Sequence, residues 1–507
     1  MSMRHLWRRL ATVSVAAAVT VTAVAAVPAS AHGSSKPRTV VTTDMEQDDL
    51  ASLIRYLLYT NEVDTEGIVY ASGRFHWAGD GKGTEFFLPG REYSTPQTSW
   101  RWVGSTYIED HVLPAYAAVY PNLRRHDRSY PSPAELRSLI RIGNIEFEGE
   151  MAKDTPGSDL IKTLLLDNDK RPLYLQAWGG TSTIARALKS IEEQYAGSRK
   201  WESIRDKVTR KAVILASGFQ DETYADYIAP VWPGIRVENM QAGYATWGYN
   251  CARGGQGNVR GLPADRVYFS GPWIRENIQI GPYGSLYRSW LDGQSMPGDQ
   301  LDIFGDPVLA PGGWCKPLAP YDFLSEGDNV AFNMLLRTGI EEPSNPLLGG
   351  WGGRAQQTST SPNLWTMAGT EVDASGTPVA NLTTLRWAAA AQNDFAARIR
   401  WTLDARGGNH APSVRVRGDS TVKARPGAVV KLSARTSDPD RGDRVSVSWW
   451  QYREEGTYPG AVSVTPGGTV TVPADAVPGQ TISVILQGTD DGQFPLTRYD
   501  RVTITVA

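Results

Sequence analysis

A short β-branched run, an acidic loop and an amphipathic stripe follow one another directly at the start of the globular sequence, and this order restricts the fold more than any other feature. Thr39-Val40-Val41-Thr42 predicts a strand, and Leu50, Leu53, Ile54, Leu57 and Leu58 fall at the spacing of one buried helix face. The plan recurs. Leu173 to Trp178 predicts a second strand, the turn Gly179-Gly180 follows, and Ile184, Ala185 and Leu188 mark a helix. Ala212-Val213-Ile214-Leu215 predicts a third strand, and Gly327-Asp328 precedes a helix carrying Ala331, Phe332, Leu335 and Leu336. Strands alternating with helices give an α/β domain with an open, mostly parallel sheet. Gly-, Pro- and Trp-rich insertions at 77–105 and 241–320 are long enough to carry function.

The pattern changes beyond Trp401. Residues 404–411 are a breaker-rich linker. After it Val430, Leu432 and Ala434 alternate with polar residues, as do Val445 and Val447, Val462 and Val464, Val470 and Val472, and Ile482, Val484 and Leu486. Residues 36–403 therefore read as the α/β domain and 412–507 as an immunoglobulin-like β-sandwich able to be removed without unfolding it. Trp449 and Trp450 point to opposite faces of a strand, so at most one could be a sugar platform; packing is the favoured role.

Residues 1–31 read as a secretory signal peptide: Arg4, Arg8 and Arg9, an apolar run from Leu10 to Val27, and Ala29-Ser30-Ala31 before His32. The chain is thus expected to be secreted, without stable membrane insertion. In an oxidising compartment Cys251 and Cys315 could pair, and two free thiols are the alternative. Balanced charge, 51 Lys and Arg against 54 Asp and Glu, excludes the broad basic field needed for a nucleic-acid polymer.

Asp44, Asp48 and Asp49 lie between a strand and the helix it feeds, at the carboxyl end of the sheet where open α/β folds bind ligands. Helix capping accounts for one of them. Three adjacent carboxylates repel unless a cation is present, and oxygen-only ligation selects Ca²⁺ or Mg²⁺.

Thr42-Thr43-Asp44-Met45-Glu46-Gln47-Asp48-Asp49 resembles the DxDPGxDD signature of calcium-dependent nucleoside hydrolases, departing at Thr42 and at Met45-Glu46. Gln176 to Ala185 is similar to that family's strand, glycine turn and helix, and Gly327-Asp328 to its late His-Asp pair without the His. Arg74-Phe75-His76-Trp77, Glu326-Gly327-Asp328, Gly350-Trp351-Gly352-Gly353-Arg354 and Gln392-Asn393-Asp394-Phe395 resemble recurrent strings of a secreted bacterial family. That family joins a nucleoside-hydrolase-like domain to a C-terminal domain labelled cellulose-binding. The resemblance implies Ca²⁺ held by Asp44, Asp49, Asp328 and the Trp178 carbonyl, with Asp44 as general base. Asp48 would contact a sugar hydroxyl, and His76, Gln220 and Asp221 would line the outer pocket. The leaving-group acid is the gap, for which His76, Trp77 or Trp247 are candidates. The implied activity is hydrolysis of an N-glycosyl or related glycosidic bond in a sugar or nucleoside, with plant cell-wall polysaccharide a further candidate partner. The alternative is a secreted carbohydrate-binding protein that kept the fold and lost the chemistry.

Overall fold

The computed structural model describes residues 36–241, 263–302, 319–322, 326–359 and 361–507. Residues 1–31, which the sequence reading takes as a signal peptide, and Trp247, Cys251 and Cys315 lie outside the described residues. β1 (Arg38–Thr43) runs parallel to β2 (Asp64–Tyr70) on one side and to β4 (Leu173–Ala177) on the other. β3 (Ile140–Ile142) extends the sheet beyond β2, while β5 (Ala212–Ala216), β6 (Arg236–Asn239) and β8 (Leu364–Met367) extend it beyond β4, all parallel. β7 (Ala355–Gln357) closes this edge in the antiparallel sense, giving eight strands, and β9 (Thr370–Val372) forms a separate antiparallel pair with β10 (Pro378–Ala380). Successive strands leave β1 in opposite directions, so the order reverses between β1 and β4 and opens a crevice at their carboxyl ends.

Both faces are covered, as the continuous burial of β1, β4 and β5 requires. Val41 and Leu215 face α1 (Gln47–Leu57), α2 (Leu113–His126) and the long helix Ala388–Leu403. Below α2, α3 (Pro133–Leu139) starts with a capping box, Ser132 and Glu135 each bonding the other's backbone N–H. Val40, Leu175 and Ile214 face α4 (Pro156–Leu166), α5 (Ser182–Tyr195) and α6 (Trp201–Lys211). The helix expected after Asp328 is shorter than its apolar spacing suggests. It spans Asn329–Asn333, and Leu335 and Leu336 are buried from the turns that follow.

The C-terminal strands form three small sheets. β11 (Ser413–Val416) pairs with β14 (Ala434–Ser437), and β13 (Val429–Lys431) with β16 (Thr469–Thr471). β12 (Thr421–Ala424), β18 (Thr497–Val506), β17 (Thr481–Thr489) and β15 (Ser446–Gln451) make a four-stranded sheet in that order. The run Val430–Ala434 is thus two strands rather than one. Val430, Leu432, Trp449, Val484, Leu486 and Val502 fill the sandwich core.

The other face of the four-stranded sheet is buried as well. Tyr452, Ile485 and Tyr499 join the same core as Trp351, Trp387 and Phe395 of the preceding region. Trp450 packs beside Trp387 at 5.9 Å between ring centres, and the Arg386 guanidinium lies 5.6 Å from its ring. Neither adjacent tryptophan is a free platform. Where the sequence reading has residues 36–403 packed by themselves, this core takes side chains from both modules.

Candidate active site

β1 ends at Thr43, and Asp44 is the first residue beyond it. Thr43 Oγ1 accepts the Met45 N–H at 3.1 Å and donates to Asp49 Oδ1. Met45 has φ 57°, a left-handed conformation uncommon for a residue with a side chain, and is fully buried. This turn leads straight into α1, whose first turn carries Asp48 and Asp49. Thr42, where the nucleoside hydrolases have their first Asp, instead donates to the Gln176 carbonyl at 3.0 Å and ties β1 to β4.

Oxygens of Asp48, Asp49 and Asp328 lie within 4.8 Å of one another, and ligand atoms of Asp44, Glu46 and His76 do the same. Asp48 rather than Asp44 thus completes the trio with Asp49 and Asp328. The approach is close enough to require glycine. A Cβ on Gly327 would sit 2.0 Å from Asp48 Oδ2, and one on Gly179 would sit 2.7 Å from Asp44 Cγ. Both Asp44 oxygens, Asp48 Oδ1, Asp49 Oδ2 and Asp328 Oδ2 are buried without a hydrogen-bond donor. Burial first, and then the neighbouring carboxylates, pushes Asp44 and Asp328 well above the ordinary range. Asp48 rises for the same reasons, and burial raises Asp49 to about 7 against the Thr43 hydrogen bond. Oxygen acceptors in such excess over donors fit a hard divalent cation, whose charge would favour their ionised forms.

His76 is fully buried, with Nδ1 3.8 Å from Glu46 Oε2 and Nε2 3.7 Å from Asp299 Oδ2. Burial, and then the charge of Arg101, lowers it to about 4, so the ring is neutral near pH 7. Arg101, at the end of the 77–105 insertion, grips Asp299 at 2.8 Å and approaches Glu46 at 3.9 Å. Glu46 was not singled out by the sequence pattern. It stands where the signature has a small residue, and the signal that could have revealed it is that substitution.

The Trp178 indole is in the core against Tyr56 and Phe332, while its carbonyl accepts from Gln220 Nε2 at 3.3 Å. Gln220 Oε1 has no donor, and it lies with Asp44 Oδ2 around the place a Gly73 Cβ would take, at 2.4 Å and 1.9 Å. Asp221 is committed elsewhere. Its oxygens accept from Thr181 at 3.1 Å, the Ser182 N–H at 3.0 Å and the Thr223 N–H at 2.9 Å. It supports the glycine turn and the start of α5 rather than offering a free group to the crevice. Trp77 is also fully buried, packed on Phe86, Tyr93 and Phe147.

Residues 38–355 match the family model described as cellulose-binding Sde182, nucleoside hydrolase-like domain. The chain belongs to this family. Residues 429–506 match the model of the cellulose-binding protein Sde0182 C-terminal domain, so the Sde182 arrangement of two modules is present. Among solved structures, the chain is similar to a nucleoside hydrolase-related hypothetical protein from Saccharophagus degradans associated with carbohydrate metabolism. The identity is 25%, the TM-score 0.68, and the match covers 93% of this chain and 100% of the other. A plant nucleoside hydrolase matches at 11% identity and TM-score 0.32, over 73% of this chain and 99% of its own. No curated protein gives a significant match to the sequence. The α/β module of this Sde182 family member has the nucleoside-hydrolase-like fold. Among the described residues no helix is long and apolar enough to cross a membrane.

Proposed function

We propose that the protein is a secreted, calcium-dependent hydrolase of an N-glycosyl or related glycosidic bond. The observation that carries this reading is the convergence of donor-free buried oxygens from Asp44, Asp48, Asp49 and Asp328 at the sheet's switch point. Asp48, Asp49 and Asp328 would hold Ca²⁺ as the carboxylates that approach one another, with Asp44 and the Trp178 carbonyl beside them as further oxygens. Bound there, the ion supplies the positive charge that acidifies a water and anchors sugar hydroxyls.

Asp44, with both oxygens free of donors, accepts the proton of the attacking water. Asp48 and Gln220 Oε1 accept hydrogen bonds from sugar hydroxyls and fix the ring. The negative floor stabilises the oxocarbenium-like charge that develops at the anomeric carbon. His76 lies between Glu46 and Asp299 as a neutral group, so a substrate whose leaving group needs little protonation suits this pocket best. Export rests on the N-terminal sequence, and a mature chain starting near His32 is its expected product.

Two observations favour the alternative of a carbohydrate-binding protein without turnover: burial lowers His76 to about 4, and Gly327 stands in place of the late His. Assaying nucleosides and aryl glycosides with and without chelator separates the two. Turnover lost on chelation and restored by calcium supports the hydrolase. Saturable sugar binding without turnover on any substrate supports the binding protein.

A further inference from the structure

At one end of the sandwich, three separate segments bring oxygen acceptors together. The β14–β15 loop supplies Asp438, Asp440 and Asp443, with a carboxylate oxygen of each within 4.8 Å of the others. The β17–β18 loop supplies Asp490, and the segment entering the sandwich supplies Asn409, at 4% and 5% exposure. Donors hold one side of each group. Asp438 Oδ1 accepts the Asp440 N–H at 2.8 Å. Asp490 Oδ1 accepts the Asn409 amide at 2.8 Å and the N–H groups of Gly492 and Leu496 at 3.1 Å and 3.0 Å. What remains is an oxygen on each: Asp438 Oδ2, Asp490 Oδ2 and Asn409 Oδ1 are buried with no hydrogen-bond partner.

Two nine-tenths-buried side chains therefore leave acceptors over beside the acidic loop. Burial raises Asp438, and among neighbouring charges Asp490 acts on it most strongly; Asp443 is raised too, with Asp440, Asp491 and Asp490 contributing. Among the described residues no Lys or Arg forms an ion pair with these carboxylates. The basic group in contact is His410, which meets Asp440 Oδ1 at 2.9 Å through Nδ1 and Oδ2 at 2.6 Å through its backbone N–H.

We propose that Asp438, Asp443, Asp490 and the Asn409 side-chain carbonyl, flanked by Asp440, form a second calcium site that locks the linker to the sandwich. Oxygen ligands drawn from loops, a neutral amide carbonyl among them, suit Ca²⁺ better than the compact octahedral demands of Mg²⁺. The position gives the ion leverage. The Asn409 backbone carbonyl accepts from Trp401 Nε1 at 2.9 Å, and His410 Nε2 meets His126 Nδ1 at 3.0 Å, so the site connects the long helix and the end of α2 to both sandwich loops.

Calcium titration calorimetry on the full mature chain tests this, in an Asp49→Asn background that silences the crevice. One saturable calcium should remain, with a Kd of about 10⁻⁴–10⁻³ M as in extracellular calcium modules, and it should raise the melting temperature. Asp438→Asn, which keeps an oxygen for the Asp440 N–H, should weaken that ion about tenfold or more through lost ligand charge. Asp443→Asn, at a half-buried side chain that holds no other group in place, should do likewise without a folding defect. Exposed Asp419→Asn, in the β11–β12 loop at the other end of the β11–β14 pair, should bind as the parent does. Unchanged calcium affinity in both Asp438→Asn and Asp443→Asn, or a parent melting temperature indifferent to calcium, overturns the site.

Discussion

Asp44 and Asp394 are both buried aspartates, at 0% and 2% exposure, and their surroundings are opposite. Asp394, on the long helix Ala388–Leu403, accepts from Arg398 at 2.7 Å, Arg498 at 2.9 Å and the Tyr59 hydroxyl at 2.9 Å. Burial alone would raise it, but Arg498 and Arg398 hold it down to about 2. Glu371 pairs with Arg354 and Arg386, each at 2.7 Å, and Glu326 with Arg55 at 2.8 Å. At the crevice floor no such cation reaches Asp44, Asp49 or Asp328 among the described residues. At the seam between the modules, as with Asp394 and Glu371, and inside the α/β region, as with Glu326, the chain itself neutralises its buried acids. The crevice contains acids whose neutralising charge must come from outside, which is how a binding site differs from structural electrostatics.

Substitutions at the two places should therefore separate activity from stability. Asp44→Asn keeps the shape and one carbonyl oxygen but cannot take a proton near neutral pH. It should lower turnover by about 10²–10⁴ while leaving the melting temperature unchanged or raised, since one repelling charge is gone. Asp80→Asn is the control, because Asp80 bonds only its own loop, at Lys82 N–H and the Thr84 hydroxyl. Equal turnover in the two variants would remove Asp44 from the chemistry.

The second effect reverses the pattern. Asp394→Ala or Arg498→Met strands a buried charge and should cost about 3–5 kcal/mol in denaturant unfolding, with turnover per folded molecule unchanged. Truncation before residue 412 removes Arg498 together with Tyr452, Ile485 and Tyr499, and should yield a chain that melts low or aggregates. A truncated chain that melts like the full one would show that the seam contributes little.

The smallest effect belongs to Glu238, which lies between the two classes. Arg236 is 3.0 Å away, yet burial still raises Glu238 from 4.5 to about 7. Folding then takes up a proton between those values, so stability falls as pH rises through that window and the deficit is complete above it. Glu238→Gln should gain about 1–3 kcal/mol at pH 8 and nothing at pH 4. A gain of equal size at both pH values would assign the effect to packing instead.

These two kinds of acid were not equally legible in the sequence. Asp44, Asp48 and Asp49 stand within six residues, and a strand on one side and an apolar stripe on the other fixed where they would lie. Asp328 was reachable through the Glu326-Gly327-Asp328 string. Asp394 could not be paired with Arg498 because the partners are more than a hundred residues apart and meet only through packing of the modules. The run Ile482–Leu486 did carry a signal, since Ile485 interrupts the alternation and marks a strand buried on both faces. Glu46 stayed hidden for the opposite reason: a local signature predicted a small residue there, and only the fold shows what its carboxylate faces.

The double burial of the four-stranded sheet also changes what the C-terminal module can do. A domain on a flexible tether searches a volume and raises the local concentration of whatever it grips, at the entropic expense of the linker. Here Trp450, Tyr452 and Tyr499 are seated against Trp387, so the module is a bracket. Any polymer gripped on its remaining loops and edges meets the crevice at one set distance and angle. Length and stiffness of the polymer, rather than linker reach, would then decide which chains can span both.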